Sequence, residues 1–597
     1  MLMLMLALTG LLFSCNGKEQ AAGTTAADSV APDGVSVYAD GATEYKIIRG
    51  QRSSEEVKWM MAELLGAMKN QLGTAPLVGD DWVKDEAALE EDACEILLGD
   101  TNRHESAELK ATLPDEESYA IAVKGKRIVI VAANDRVLME AVSVFIEDVV
   151  MQNDQKGNLV MAKDYSLIGS LPADRRADWE FLCPSPKSGT LSAGVYYSGA
   201  GLADDTKSEP LEGSRMQYVA DVTQSDFDAY VADMKAAGYR VTMENTIEKN
   251  CYANFVKGCL RYYVGFCGST REMRISEDRA GVSVDEFAYT TKGDLQTQVY
   301  QYGISPSDIG MCYVIRLSDN SVVVVDGGQC IQTGTEHTTA FMDFLREITN
   351  TPKGQKVKVA AWFLTHAHND HVTFMRETIN KHYKEFELQR VMYNFPSYQV
   401  RQEHYDTNTF TTKQAIRNRY PDTQFLKLHS GQSFYLSDVR VEVLYTHEDV
   451  VGANQYKGAA DAGTLVQFPL SDFNDTSSVV RFHVDGQSFL VLGDMNAGAE
   501  RVMTNQHPAK VWKSDMVQVA HHCYNALNTL YPYVSAPIAL IPNTRAEANN
   551  DTNIAKLTTV LKFVKNKQAY YAPEATIGFA VVDGKFQIVY NKATTWE

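Results

Sequence analysis

Histidine is scarce in this chain, 13 among 597 residues. Other signals are missing altogether. No two cysteines form a CxxC pair, so a structural zinc knuckle is not indicated. No stretch rich in Lys or Arg offers a track for a phosphate backbone. The formal net charge of -20 also repels a polyanion at long range, so no nucleic-acid partner is expected. An anionic small substrate stays open, because a local pair of cations outweighs a diffuse surface charge. Beyond the first fourteen residues, no apolar run reaches the roughly 20 residues needed to span a bilayer as a helix. Hydrophobic residues at 45% and charged residues at 22% are ordinary for a globular protein, and the length calls for about three domains.

The chain opens on MLMLMLALTGLLFS, followed at once by Cys15 and a polar stretch. LFSC resembles a bacterial lipobox, with the small Ser14 before the cysteine that would be lipidated after cleavage. No Lys or Arg lies near Met1, a departure from the usual signal peptide. The expectation is an exported, membrane-anchored bacterial lipoprotein on the periplasmic or cell-surface face. Residues 1–15 would be its signal peptide and 16–43 a flexible tether rich in Ala, Thr, Asp and Gly. Eight cysteines follow: Cys94, Cys183, Cys251, Cys259, Cys267, Cys312, Cys330 and Cys523. Those at 251, 259 and 267 sit in strand-like runs and are expected as buried free thiols. Export permits a disulfide, with no pairing assignable.

From about residue 44 to 172 the pattern runs strand, helix, strand, strand, helix, strand. YKIIRG and CEILLGDTNR read as strands, YAIAVKGKRIVIVAA as a hairpin turning on Gly125, and RVLMEAVSVFIEDVV as an amphipathic helix. EILLGDTNRHES followed by that hairpin resembles the small α/β domain that precedes the catalytic barrel of α-glucuronidases and β-hexosaminidases. The resemblance implies a possible carbohydrate contact through this domain. No paired carboxylates of a glycosidase follow it.

Residues 173–292, entered through the charged connector ADRRADWE, read as an α+β domain. A helix over SDFDAYVADMKAAGYRV stops at Gly238, and an antiparallel meander follows that breaks at Gly258 and Gly268. Its aromatic residues, Tyr252, Phe255, Tyr262, Tyr263 and Phe266, suit a core and sheet surface. The remainder, 293–597, interleaves strands and helices as a sandwich of sheets covered by helices would.

In that last unit FLTHAHNDHV follows the apolar run VKVAAWFL, and four ligand-type side chains fall within six positions. His366 and His368, two apart on a loop at a strand end, would face one way and grip one ion; Asp370 and His371 would take another. Imidazole and carboxylate suit zinc, iron or manganese. HVDGQSFLVLGDMN brings Asp494 to a second strand end, where a carboxylate can bridge two cations about 3.5 to 4 Å apart. SDMVQVAHHCYN ends a third strand in His521 and His522. SVVVVDGG ends a fourth in Asp326, followed by two glycines that admit close backbone approach.

DGG, THAHNDH, NDTSSVVRF, FLVLGD and VQVAHH, in that order, resemble the metallo-β-lactamase superfamily, most closely its competence-protein and phosphorylcholine-esterase branch. The resemblance implies a C-terminal αββα sandwich, preceded here by the two smaller α+β domains. It implies a pair of divalent ions, zinc with manganese or iron as alternatives. His366, His368 and Asp494 would hold the first; Asp370, His371, Asp494 and one of His521/His522, with His522 favoured, would hold the second. Asp370 and His521 would act on the substrate, and Asp326 and Asn394 would support the ligands. Asn394 stands at the strand end, RVMYNFP, where relatives have a further histidine, so the first ion is short a strong ligand. Val372-Thr373-Phe374 replaces Ile-Gly-Gly, and HHCYN replaces His-His-Gly-Ser. His382, His404, His429 and His447 are expected at the surface.

The implied activity is hydrolysis of a small-molecule or glycan-linked ester, most of all a phosphodiester or phosphorylcholine-like one. A bridging water would be acidified towards neutrality and oriented by Asp370. The alternatives are a glycan-binding surface lipoprotein with an incomplete metal site, a lactone or thioester hydrolase, and a nuclease.

Overall fold

The structure, a computed structural model, describes residues 34–594 other than 84–88, 90–91, 152–156, 172–178, 180, 193–195, 198–214, 259, 280–281, 305–309, 330–334, 397–407, 451–472 and 565–567. Cys15, most of the connector, Cys259, Cys330 and His404 therefore lie outside the described residues. Cys94, Cys183, Cys251, Cys267, Cys312 and Cys523 form no disulfide among the described residues. Among the described residues no helix is long and apolar enough to cross a membrane.

The leading unit is a six-stranded mixed sheet in the order Leu77–Asp80, Lys46–Arg49, Glu95–Leu98, Arg127–Ala132, Ser118–Lys124, Ser166–Ser170. Helices Glu55–Leu72 and Asp135–Phe145 cover one face and the short helix His104–Lys110 the other. One expectation is corrected here. The stretch assigned to the tether contributes strand Gly34–Tyr38, which pairs with Leu159–Ala162. Beyond strand Glu95–Leu98 the helix His104–Lys110 is capped at Arg103, whose guanidinium turns inward to Glu95 at 2.7 Å.

The second unit is the expected meander, Arg240–Ile247, Asn250–Lys257, Leu260–Cys267 and Glu272–Arg279, with Arg215–Ala220 added beside the last. Helix Gln224–Ala236 starts at a capping box between Thr223 and Asp226 and ends before Gly238, whose φ of 86° only glycine adopts readily. The two units share one continuous apolar core, in which Phe145 and Trp179 join Phe227 and Tyr262.

The last unit is a four-layer α/β sandwich. Its first sheet runs Gln424–Lys427, Arg390–Tyr393, Val357–Phe363, Val322–Asp326, Cys312–Arg316, Gln298–Gln301, Ala575–Val582, Lys585–Ala593. Its second runs Ser433–Leu436, Val439–Tyr445, Val479–Val484, Gln487–Val491, Met516–Gln518, Ile538–Ile541, Gln568–Tyr571. Alternation along VVVVD shows the layering. Val323 and Val325 enter the core between the sheets with Phe482 and Phe489. Val322 and Val324 point to the outer layer, where helices Thr335–Thr349 and Asn369–His382 pack. Helices Ala497–Gln506 and Ile554–Phe563 cover the outer face of the second sheet.

Parallel pairing gives this sandwich its functional edge. Val322–Asp326 runs parallel to Val357–Phe363, and Gln487–Val491 to Met516–Gln518, so their C-terminal ends emerge side by side. A hydrogen bond from Ser478 N–H to the Thr365 carbonyl, 2.8 Å, ties the two sheets together at that edge.

Candidate metal centre

Asp370, His371, Asp494 and His522 converge there, each offering one ligand atom within 4.8 Å of the others, and they form a candidate metal site. Two chain segments cross close to it. At Gly493 (φ 59°) a Cβ would lie 2.6 Å from Ser477 Cβ, so only glycine lets Asp494 turn back over the strand end. At Gly327 a Cβ would press to 3.1 Å on Phe374, which accommodates the bulkier Val-Thr-Phe at the helix start. Helix Asn369–His382 is capped at His368 and carries Asp370 in its first turn, where a carboxylate meets the positive end of the helix.

Four residues in and around the candidate site hold strained backbone. Asp326, His521, His522 and Cys523 all hold left-handed φ, between 48° and 65°. A non-glycine residue in that region costs about 1–3 kcal/mol, and such costs cluster at functional sites.

His371 is fully buried. Its Nδ1 lies 2.8 Å from Asp326 Oδ2, which directs Nε2 to Asp494 Oδ2 at 3.1 Å. Asp326 is itself fixed by Thr365, whose N–H and hydroxyl donate at 2.8 and 2.7 Å. His522 Nδ1 donates to the Pro542 carbonyl at 3.1 Å, leaving Nε2 as the lone-pair nitrogen. That Nε2 stands 3.1 Å from Asp494 Oδ2 and 3.3 Å from Asp370 Oδ2, yet it and Asp494 Oδ1 have no hydrogen-bond partner. Ligands 2.0–2.1 Å from a tetrahedral zinc are spaced about 3.3 Å from one another. Buried atoms that crowd at that spacing without bonding fit a cation.

The electrostatics agree. Burial alone would depress His371 and His522, but carboxylates outweigh it. Asp494, Asp326 and Asp370 hold His371 well above its ordinary value, and Asp494 with Asp370 raises His522 to about 10. Asp494 stays well below the carboxylate range despite burial, because both imidazoles face it. Protons on these histidines and a divalent ion are alternative ways to balance the same carboxylates.

The other sequence candidates divide. His366 is buried, with Nε2 3.1 Å from His368 Nδ1 and 3.1 Å from Asn474 Oδ1. His521 is ringed by amides: Asn496 Oδ1 at 3.0 Å and Asn525 Nδ2 at 2.5 Å from Nδ1, and Asn474 Nδ2 at 3.3 Å from Nε2. Asn394 is corrected. Its amide donates to the Leu428 carbonyl (2.7 Å) and its oxygen meets His447 Nε2 (2.9 Å), so it supports none of the ligands. His382, His429 and His447 are also buried rather than at the surface. Each has a polar partner; for His429 these are Asp278 and Glu448. Asn474 and Asn496 are site residues that the strand-end pattern alone does not pick out.

Asp326 works through His371, so Asp326→Asn is expected to lower zinc affinity by about 10–100-fold. Calorimetric titration of the chelator-stripped protein checks this; an unchanged affinity excludes the orienting role.

No protein-family model matches the chain, and no curated protein does. Among solved structures, unliganded yeast PDE1 is 13% identical over 46% of this chain and 97% of its own, with a TM-score of 0.27. Tm1679, a metal-dependent hydrolase of the β-lactamase superfamily, is 7% identical over 46% and 95%, with a TM-score of 0.24. CpGH84D is 14% identical over 24% of each chain, with a TM-score of 0.16. Likenesses this distant carry no weight for activity; the four layers and the ligands at their strand ends are this chain's own.

Proposed function

We propose that the chain is a metal-dependent hydrolase of phosphoesters, exported and anchored through Cys15. The observation that carries the hydrolase reading is the convergence of Asp370, His371, Asp494 and His522, with two of their buried atoms left without a hydrogen-bond partner. Divalent ions held there would supply an acidified water and a positive field for the ester oxygens. Asp370 is the most exposed of the four, its side chain 23% accessible, and on this reading would orient that water and accept its proton. Asp326 and the Pro542 carbonyl hold the two imidazoles in register. A cavity of about 240 Å³ opens beside His522, lined by Tyr524, Asn543, Thr544 and Glu547 together with Ile304 and Pro542. It has the size for a small alcohol portion, and among the described residues no Lys or Arg lines it. On this reading the ions would supply the charge that receives a phosphoester. The phosphoester preference itself rests on the resemblance of the five motifs.

Hydrolysis of bis-p-nitrophenyl phosphate and p-nitrophenyl phosphorylcholine tests the reading. Activity is expected, lost on chelation and reduced by about 10³-fold or more in Asp370→Ala. Turnover of lactones or thioesters in place of both phosphoesters overturns the substrate class. Failure of Cys15→Ser to release the protein from the membrane fraction overturns the anchor.

A further inference from the structure

We infer that Asn474 supplies, through its amide oxygen, a further protein ligand of the first ion beside His366, His368 and the shared Asp494, and that this ion is the more weakly held of the two. The inference rests on the metal-dependent reading above and extends it to a residue outside the histidine motif.

Three ligand-type atoms meet at this point. His366 Nε2 lies 3.1 Å from His368 Nδ1 and 3.1 Å from Asn474 Oδ1, although Asn474 is 108 residues away in sequence. The spacing is again near the about 3.3 Å between ligands of a tetrahedral zinc. Asn474 is held in this place. It sits in the turn Phe473–Thr476, and Asp475 Oδ1 in the same turn accepts from Asn496 N–H (2.7 Å) and Ala499 N–H (3.0 Å), at the helix start behind Asp494. Phe473 packs on the His368 ring at 5.2 Å. The Asn474 amide nitrogen faces His521 Nε2 at 3.3 Å, which directs the oxygen towards His366.

The seat where a third imidazole was expected is closed. Asn394 and His447 are bonded to each other there, and Asn394 also to Leu428. An amide oxygen is a neutral, harder donor than imidazole, and this set of two imidazoles and one amide has no carboxylate of its own. The second ion has two imidazoles and two carboxylates. The two positions should therefore fill in order, the second first.

The full-length chain, stripped with chelator, is titrated with zinc by calorimetry, with Co(II) absorption reporting nitrogen ligation. Two phases are expected in the wild type. In Asn474→Ala the weaker phase falls by about 10-fold or more with the tighter one unchanged, and in Asn474→His it strengthens by about 10-fold or more. If the alanine variant does not fold by circular dichroism, the histidine variant carries the test alone. A single ion per wild-type chain, both phases unchanged in Asn474→Ala, or no gain in Asn474→His overturns the assignment. Two ions bound without ester hydrolysis would instead count against the proposed reaction and leave Asn474 in place.

Discussion

Alanine at Asp494 is expected to empty the centre and abolish hydrolysis. This carboxylate is 1% exposed and stands 3.1 Å from both His371 and His522. It is the main charge holding those imidazoles above their ordinary values. Its loss removes a shared ligand rather than an outer support, so the drop in metal affinity should exceed the about 10–100-fold typical of a supporting residue. Turnover should fall by about 10³-fold or more. The backbone turn survives, because Asp494 N–H bonds Ser477 Oγ at 2.9 Å whatever side chain follows. Elemental analysis and steady-state kinetics on the variant check the prediction; retention of two ions would contradict it.

The largest effect on stability is expected at His429, far from the ligands in sequence. Its ring is buried between the meander and the sandwich. Nε2 meets Asp278 Oδ2 at 2.7 Å, Nδ1 meets Glu448 Oε2 at 2.9 Å, and Tyr263 stacks on it with centroids 3.8 Å apart. Arg274 pairs with Asp449 alongside. Donating through both nitrogens requires the imidazolium. Burial opposes that charge, but Glu448 and Asp278 overcome it and raise the group to about 9. Removing the ring leaves two buried carboxylates without their cation, a loss of about 3–5 kcal/mol.

The sign of the pH dependence follows. A folded value raised from the usual 6.5 to about 9 gives stability fully present below pH 6.5 and lost as pH rises through 9. The shift corresponds to a contribution on the order of 3 kcal/mol. The deficit of His429→Ala in urea unfolding should thus be largest near pH 6 and shrink above pH 9. A deficit constant across that range would exclude the charged clamp.

What could be read from the sequence shares one property: it is local. HAHNDH, FLVLGD and VQVAHH each place ligand-type side chains directly after an apolar strand, so period and motif single them out together. Asp326 belongs with them for the same reason. The contacts that escaped are long-range. Asn474 meets His366 across 108 residues, and His429 meets Asp278 across 151. A single histidine in a polar stretch carries no signal that a carboxylate waits on another domain. Asn394 misled because it occupies the expected strand end while its amide is taken up by Leu428 and His447. The sandwich was read from strands interleaved with helices, and the unbroken buried runs VVVV and AAWFL are what a sheet covered on both faces gives.

Anomalous scattering at the zinc edge from crystals of the zinc-loaded protein tests the central claim most directly. Two peaks are predicted, one bonded to Asp370, His371, Asp494 and His522 and the other to His366 and His368. Zinc bound only elsewhere, with the Asp494 carboxylate bonded to no ion, would contradict it.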